Sequence, residues 1–285
     1  MIKSSDVCAG IVLFNPDIER TKRVVHSIMS QVSELYLVDN GSDNVKQIHD
    51  LVSANSNVYI IENAENQGIA RALNQICQKG YNNGFEWVIT LDQDTICPEH
   101  LVEQLIPYTK TDEIGIVCPA VEYEGLNLKT NKEGKDTEYT YACMTSSSLT
   151  NLKAWKEVGG FKESYFIDFV DNEFCMKLGL NGYKILRVFS CAIKHQLGNS
   201  REISILGKKM KGTTHNLVRC YYMMRNNLLF IKEYSSHLNV FKEYVKMFYV
   251  AWGEILYSRN RLKTLKYLAL GIKDGIKGKD GRYEA

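Results

Sequence analysis

Up to residue 119 the sequence alternates short apolar runs with stretches of helical length, and this constrains the fold more than any other feature. The apolar runs are residues 7–13, 35–38, 58–61, 87–91 and 114–117. Runs of that length separated by periodic segments are the signature of strand-helix units around a mostly parallel sheet. The intervening helices are expected over 17–29, over 44–54, after Asn66 with Ile69, Leu73, Ile76 and Cys77 on one face, and over 99–108. Asp17 and Asn66 read as N-caps.

Past residue 119 the pattern loosens. Residues 122–138 are polar and charged and predict an exposed hairpin or loop. Strand-like residues resume over 139–149, a helix follows Asn151, and Gly159-Gly160-Phe161 breaks the chain. A further helix is expected from about Asp171 to Leu180, then a strand over 183–188. Segment 196–214 lacks clear periodicity and mixes Gly, Ser and Lys, as a mobile lid would. Beyond His215 long helices take over. There Leu238, Phe241, Val245, Phe248, Trp252 and Ile255 recur at near-heptad spacing, a stripe expected to pack on the rest of the chain or on a twin subunit.

Length and composition (285 residues, 45% hydrophobic, 24% charged) suit one large domain with an appendage and exclude a disordered or fibrous chain. The net charge of +2 hides an asymmetry, −8 over residues 1–204 and +10 over 205–285. An acidic part suits a metal-dependent site. A basic part rich in Tyr, Phe and Trp suits an anionic surface such as the inner membrane leaflet, or is simply a solvated helix face. No nucleic-acid partner is called for. Eight cysteines scattered without CxxC spacing read as buried thiols in a reducing compartment rather than structural zinc ligands. The start, Met1-Ile2-Lys3-Ser4-Ser5-Asp6, shows no basic-then-apolar leader, and no apolar run approaches the roughly 20 residues of a membrane span, so a cytoplasmic location is expected.

In an open parallel sheet, ligands sit beyond the carboxyl ends of the strands. Four polar groups stand there: Phe14-Asn15-Pro16, Asp39-Asn40-Gly41-Ser42, Glu62-Asn63 leading to Asn66-Gln67-Gly68, and Asp92-Gln93-Asp94. If the last group continues the strand, residues two apart point the same way, and both carboxylates could serve one hard divalent cation and, through it, a diphosphate. The competing explanation is that two Asp cap a turn.

Val38-Asp39-Asn40-Gly41-Ser42, then Asn66-Gln67-Gly68-Ile69-Ala70-Arg71-Ala72-Leu73-Asn74, then Leu91-Asp92-Gln93-Asp94-Thr95, in that order, resemble glycosyltransferase family 2. The resemblance covers about residues 7–195 and implies the GT-A fold, an α/β domain that binds a nucleotide-sugar donor. With the charge split and the helical periodicity past His215, the expected organisation is a catalytic domain over 1–204, with the nucleotide part in about 1–120 and the acceptor part in 121–204, followed by a mobile loop and basic amphipathic helical extension over 205–285. By the same resemblance Phe14 and Asn15 lie beside the nucleotide, Asp39 bonds the base edge, and Asn66, Gly68 and Asn74 match a helix-opening motif near it. Asp92, Gln93 and Asp94 complete the donor site. For Asn66, Gly68 and Asn74, capping and a tight turn are the plain alternative.

The segment Phe166-Ile167-Asp168-Phe169-Val170-Asp171-Asn172-Glu173 resembles the family's acidic catalytic stretch, although the commoner Glu-Asp pair is Val170-Asp171 here. Asp171 is the favoured general base, with Asp168 as the alternative, and Glu173 an acceptor or diphosphate contact. His195 corresponds to a residue some family members use beside the last Asp of the triplet, so Asp94 and His195 are the implied ligands of Mn2+ or Mg2+.

Within the family, Leu91-Asp92-Gln93-Asp94-Thr95, Asp168-Phe169-Val170-Asp171, and His215 with Arg219-Cys220-Tyr221-Tyr222-Met223-Met224-Arg225-Asn226-Asn227 look like bacterial rhamnosyltransferases. The implied reaction is inverting, non-processive transfer of L-rhamnose from dTDP-L-rhamnose to a glycan acceptor, on a lipid diphosphate by family context, in surface polysaccharide synthesis. Tyr222 and Arg225 are candidate acceptor or diphosphate contacts, or a core Tyr beside a helix-surface Arg. UDP-galactofuranose is the rival donor. From other classes, a sugar nucleotidyltransferase and a non-catalytic membrane-associated scaffold remain open, as do peripheral membrane contact and a homodimer through the C-terminal helices.

Overall fold

All five apolar runs are strands in the computed structural model, which describes residues 6–123, 135–195, 199–205 and 208–284, with backbone alone at 123, 195, 199–205 and 208–211. They are β1 (Val7–Leu13), β2 (Leu35–Asp39), β3 (Val58–Glu62), β4 (Trp87–Asp92) and β5 (Ile114–Tyr123). The first four are mutually parallel in the order β3-β2-β1-β4. Every residue of β1 and β2 is buried, which requires cover on both faces.

That cover follows from the helical periodicity. In α1 (Ile18–Met29), Thr21, Val24, Val25 and Ile28 are buried at spacings of three and four, and Asp17 caps the helix by accepting the Arg20 amide at 2.8 Å. Val24, Val25 and Ile28 join Val7, Ala9, Ile11 and Leu13 of β1 in one core with Ile48 and Val52 of α2 (Val45–Val52) and Leu101 and Leu105 of α4 (Leu101–Leu105). From α3 (Ile69–Asn82), Ile76 approaches β1 so closely that a Cβ at Gly10 would stand 2.2 Å from it, so only glycine fits. α3 opens at Gly68, not Asn66. Asn66 instead braces the preceding turn by accepting the Gly68 amide at 2.9 Å. α4 is shorter than the expected 99–108 and passes into a 3₁₀ turn, Ile106–Tyr108, at Pro107, which has no amide to continue the ladder.

The sheet continues through β7 (Ser148–Asn151), antiparallel to β4 and β5, then β5, β8 (Lys184–His195) and β6 (Thr137–Thr140), the last antiparallel to β8. β8 joins the expected strand over 183–188 to the residues leading into His195 through a register shift against β5 after Pro119. Because β8 lies between β5 and β6, the polar stretch 122–138 does not form a hairpin of those two strands; its residues 124–134 lie outside the described residues. Asn151 caps α5 (Leu152–Glu157), and α6 (Val170–Leu180) precedes β8.

The chain divides into two compact units, one ending with β8 at His195 and the other combining Ser164–Val170 with the residues after His195. The second unit therefore begins earlier than residue 205 and recruits 164–170, because side chains of α7 (Leu217–Glu233) hold that stretch. Segment 196–214, read as an aperiodic lid, contains an antiparallel pair, β9 (Asn199–Ile205) and β10 (Lys208–Thr214). Its ladder rests on backbone bonds that need no apolar alternation. Residues 196–198 and 206–207 lie outside the described residues.

α7, α8 (Val240–Tyr257) and α9 (Arg261–Ile276) enclose a small core of Cys220, Met224 and Leu268, with Met247, Ala251, Ile255 and Ile272 against it. The near-heptad stripe is not the packed face of α8. Phe241, Val245, Phe248 and Trp252 are exposed, and of the stripe only Ile255 joins the core. No helix among the described residues is long and apolar enough to cross a membrane.

Candidate active site

The carboxyl ends of β1 and β2 build one corner of the site. Asn15 takes a left-handed φ of 45°, its amide donates to Ser42 Oγ at 2.8 Å, and its Oδ1 accepts the Asp43 amide at 2.8 Å. Asp39, 2% exposed, accepts the Ser42 amide on Oδ2 at 3.1 Å. Its Oδ1 is buried with no hydrogen-bond partner, and so is Gln67 Oε1. An unsatisfied buried carboxylate oxygen costs on the order of 1–3 kcal/mol, so a ligand N–H brought to Asp39 Oδ1 would recover that energy.

Asn40, which sequence reasoning did not single out, organises this corner. Its Nδ2 donates to Asn66 Oδ1 and the Gly68 carbonyl, both at 3.2 Å, and its Oδ1 accepts from Asn63 Nδ2 and the Gln67 amide, both at 3.1 Å. Gly41, at φ 80°, passes so close to the next loop that a Cβ would stand 2.7 Å from the Glu65 backbone. Asn74 lies elsewhere. Its Oδ1 accepts from the Trp155 indole and the Phe161 amide, and its Nδ2 donates to the Phe161 carbonyl and Glu163, all within 3.0 Å. That saturated amide braces α3 against the Gly159-Gly160-Phe161 break.

The acidic triplet forms the second corner. β4 ends at Asp92, and the Thr95 amide donates to the Asp92 carbonyl at 3.1 Å, so Asp94 stands in a turn and the alternation of a strand does not govern where it points. Gln93 Oε1 accepts the Phe14 amide at 2.9 Å, which ties this turn to β1; the Phe14 ring is 44% exposed. Asp94 is 53% exposed, with Arg20 Nη2 at 3.7 Å from its carboxylate and 2.9 Å from its carbonyl.

A hydroxyl-rich segment, Thr145-Ser146-Ser147-Ser148, lies along the end of β4. The Thr90 hydroxyl donates to the Thr145 carbonyl at 2.9 Å, the Ser147 amide to the Thr90 carbonyl at 2.7 Å, and the Asp92 amide to Ser146 Oγ at 3.1 Å. On its other side Thr145 Oγ1 donates to Asp171 Oδ1 at 2.9 Å, in the first turn of α6. Two adjacent residues thus join the acidic turn to Asp171. Asp171 and Ser146 also line a cavity of about 410 Å³ with Cys118, Cys143, Asn172 and Arg187. Three cysteines far apart in sequence converge at this wall, Cys143 lying 3.9 Å from Cys175 with Cys118 on the same cavity.

This geometry coincides with a match of residues 8–173, more than half of the chain, to Glycosyl transferase family 2. The chain belongs to that family. A curated relative, the dTDP-rhamnosyl transferase RfbF of Shigella flexneri, is 25% identical, the alignment covering 99% of this chain and 100% of the relative. Among solved structures, the mannosyltransferase PcManGT of Pyrobaculum calidifontis, in complex with GDP-Man and Mn2+, superposes with a TM-score of 0.60 at 12% identity, over 93% of this chain and 74% of that one. GalNAc-T7 with UDP, GalNAc and Mn2+ does so at 0.57 and 16% identity, over 70% of this chain and only 44% of that longer one. The fold is GT-A, and the protein is a glycosyltransferase.

The remaining residues expected from the family motifs fall as follows. Glu173 is 1% exposed and pairs with Lys177 at 3.4 Å along α6. In the second unit Asp168 is bound by Arg219 Nε at 3.0 and 3.3 Å. Burial pushes the Asp168 carboxyl above the usual range, against the opposing charges of Arg219 and His215. The backbone is left-handed at Phe166, Asp168 and Phe169, with φ between 62° and 65°, a strained run that Asn226 pins by donating to the carbonyls of Tyr165, Ile167 and Asp168 at 2.7–3.0 Å. Arg225 is not on a helix surface. It is 1% exposed, bound to the carbonyls of Ser164, Tyr165 and Gly281 and stacked 4.7 Å from the Tyr222 ring, which in turn stacks on Phe166. Arg225 and Tyr222 therefore shape the acidic loop from beneath.

The described candidates for metal donors are the carboxylates of the Asp92-Gln93-Asp94 turn. Among the described residues no cluster of three or more His, Cys, Asp and Glu side chains is arranged to hold a cation. An exposed carboxylate at a strand end suits a hard cation that completes its shell with diphosphate and water oxygens. His195 ends β8 opposite Tyr123, and its side chain lies outside the described residues.

Proposed function

We propose that this protein is an inverting, metal-dependent, non-processive transferase that moves L-rhamnose from dTDP-L-rhamnose to a hydroxyl of a glycan acceptor. The acceptor is a lipid-diphosphate-linked oligosaccharide at the cytoplasmic face of the membrane, in bacterial surface polysaccharide synthesis. The observation that supports the chemistry is the junction at Thr145 and Ser146, which ties Asp171 to the acidic turn at the end of β4. The likeness to a dTDP-rhamnosyl transferase across 99% of the chain supports the donor.

In this reading the unsatisfied Oδ1 of Asp39 accepts the ring N–H of thymine, and the exposed Phe14 ring covers the base. The Asn40 hub holds that corner rigid, so little ordering is needed on binding. Asp94, with His195 as the further ligand implied by the family, would hold Mn2+ or Mg2+, which would supply countercharge to the diphosphate leaving group. Asp171 accepts the proton of the acceptor hydroxyl as its oxygen attacks the anomeric carbon. Thr145 orients that carboxylate. A single displacement on the face opposite the leaving group inverts the anomeric centre. Asp168 is the weaker candidate for the base, because Arg219 already neutralises it.

The test is release of nucleoside diphosphate from dTDP-L-rhamnose and from UDP-galactofuranose, with and without Mn2+, for the wild type and Asp171→Asn. Selective, Mn2+-dependent turnover of the dTDP sugar, lost in Asp171→Asn while donor binding persists, supports the proposal. Preference for UDP-galactofuranose overturns the donor assignment. Undiminished turnover by Asp171→Asn removes Asp171 from its role.

A further inference from the structure

α8 carries an aromatic face that nothing in the described structure covers. Phe241, Tyr244, Val245, Phe248 and Trp252, spaced three or four apart along one side, are 79%, 45%, 37%, 63% and 56% exposed, and Tyr249 beside them is 68% exposed. The inner side of the same helix, Met247, Ala251 and Glu254, meets the small helical core and His215. A soluble helix normally reverses this arrangement, since large exposed apolar patches mark interaction sites.

The charge around that face indicates what it meets. Residues 239–273 contain seven Lys and Arg against two Glu, and both Glu are engaged, Glu243 with Lys246 at 2.6 Å and Glu254 with His215 at 2.6 Å. Lys242 and Lys246 edge the aromatic face, and Arg259 and Arg261 follow in the turn after it, all exposed. Rings that are apolar at one end and wet at the other, flanked by cations, suit the boundary between headgroups and acyl chains of an anionic bilayer. A second copy of this chain suits it less well, because a twofold contact would set the cationic margin against itself.

We propose that α8 docks the protein on the surface of an anionic phospholipid bilayer. Phe241, Phe248 and Trp252 enter the boundary, and Lys242, Lys246, Arg259 and Arg261 meet lipid phosphates. The helix lies on the membrane and does not cross it. This inference stands apart from the identity of the donor and from the catalytic assignments.

Trp252 provides the probe, as the one exposed member of the three tryptophans, Trp87 and Trp155 being 2% and 5% exposed. The full chain is mixed with phosphatidylcholine vesicles with or without phosphatidylglycerol, and tryptophan emission and cosedimentation are recorded. The expected result is a blue shift and cosedimentation with the anionic vesicles only, weakened by salt. Phe241→Ser with Phe248→Ser should lower partitioning at least about tenfold, and Lys242→Gln with Lys246→Gln by about tenfold. Circular dichroism and melting of these surface variants check that they fold. Wild-type protein that ignores anionic vesicles overturns the proposal, and so does undiminished binding by the Phe variant. A concentration-dependent dimer in sedimentation velocity that the Phe variant abolishes, without vesicle binding, assigns the face to a second copy instead.

Discussion

Thr145 donates its hydroxyl to the Asp171 carboxylate at 2.9 Å, and the neighbouring Ser146 receives the Asp92 amide. The direction in which Asp171 points thus depends on a hydroxyl anchored to β4. Thr145→Val keeps the volume and removes the bond. Steady-state kinetics should show kcat reduced about tenfold with the donor KM little changed, and Thr145→Ser should recover most of the loss.

Asp39 keeps one carboxylate oxygen buried and without a partner. Asp39→Asn should therefore leave folding stability near that of the wild type while weakening nucleotide binding about tenfold or more. Titration calorimetry with dTDP reads the second effect and thermal melting the first. Equal binding by both proteins would place the base elsewhere.

Asp94 is the described carboxylate best exposed for a cation at the end of β4. Chelation with EDTA should abolish turnover, and added Mn2+ should restore it. Asp94→Ala should lose about a hundredfold or more in kcat, without rescue by the metal. Full activity in EDTA would exclude a dissociable metal role.

Asn226 holds three carbonyls of the strained 165–168 backbone with one amide group. Asn226→Leu leaves those carbonyls buried beside a non-donor and should cost about 3 kcal/mol, seen as a lower midpoint in urea denaturation. A loss below about 0.5 kcal/mol would mean that the loop is held by other contacts.

Glu254 is buried, which opposes its charge, but two hydrogen bonds from His215 and the charge of that ring outweigh burial and hold its pKa below the ordinary 4.5. A lowered folded-state pKa contributes stability that is present above the unfolded value and lost as pH falls through the folded one. The wild type should therefore lose melting temperature below pH 4.5 more steeply than Glu254→Gln. Parallel melting curves of the two proteins across that range would deny the linkage.

The order of the elements and their chemistry could be read along the chain because each depends on neighbours in sequence. Continuous apolar runs revealed β1 to β5 and period-3.6 patterning α1 to α3, and the positions of Asp39 and the acidic triplet followed from strand ends. Long-range partners could not be read that way. Nothing in the run of hydroxyls at 145–148 says that it lies against β4, and nothing in Arg225 or Asn226 says that they hold a loop some sixty residues earlier. The α8 stripe shows the same limit. Spacing establishes that an apolar side exists, but whether that side faces a core or the surroundings depends on which other helix surface is available to cover it, and only the packing of α7, α8 and α9 decides that.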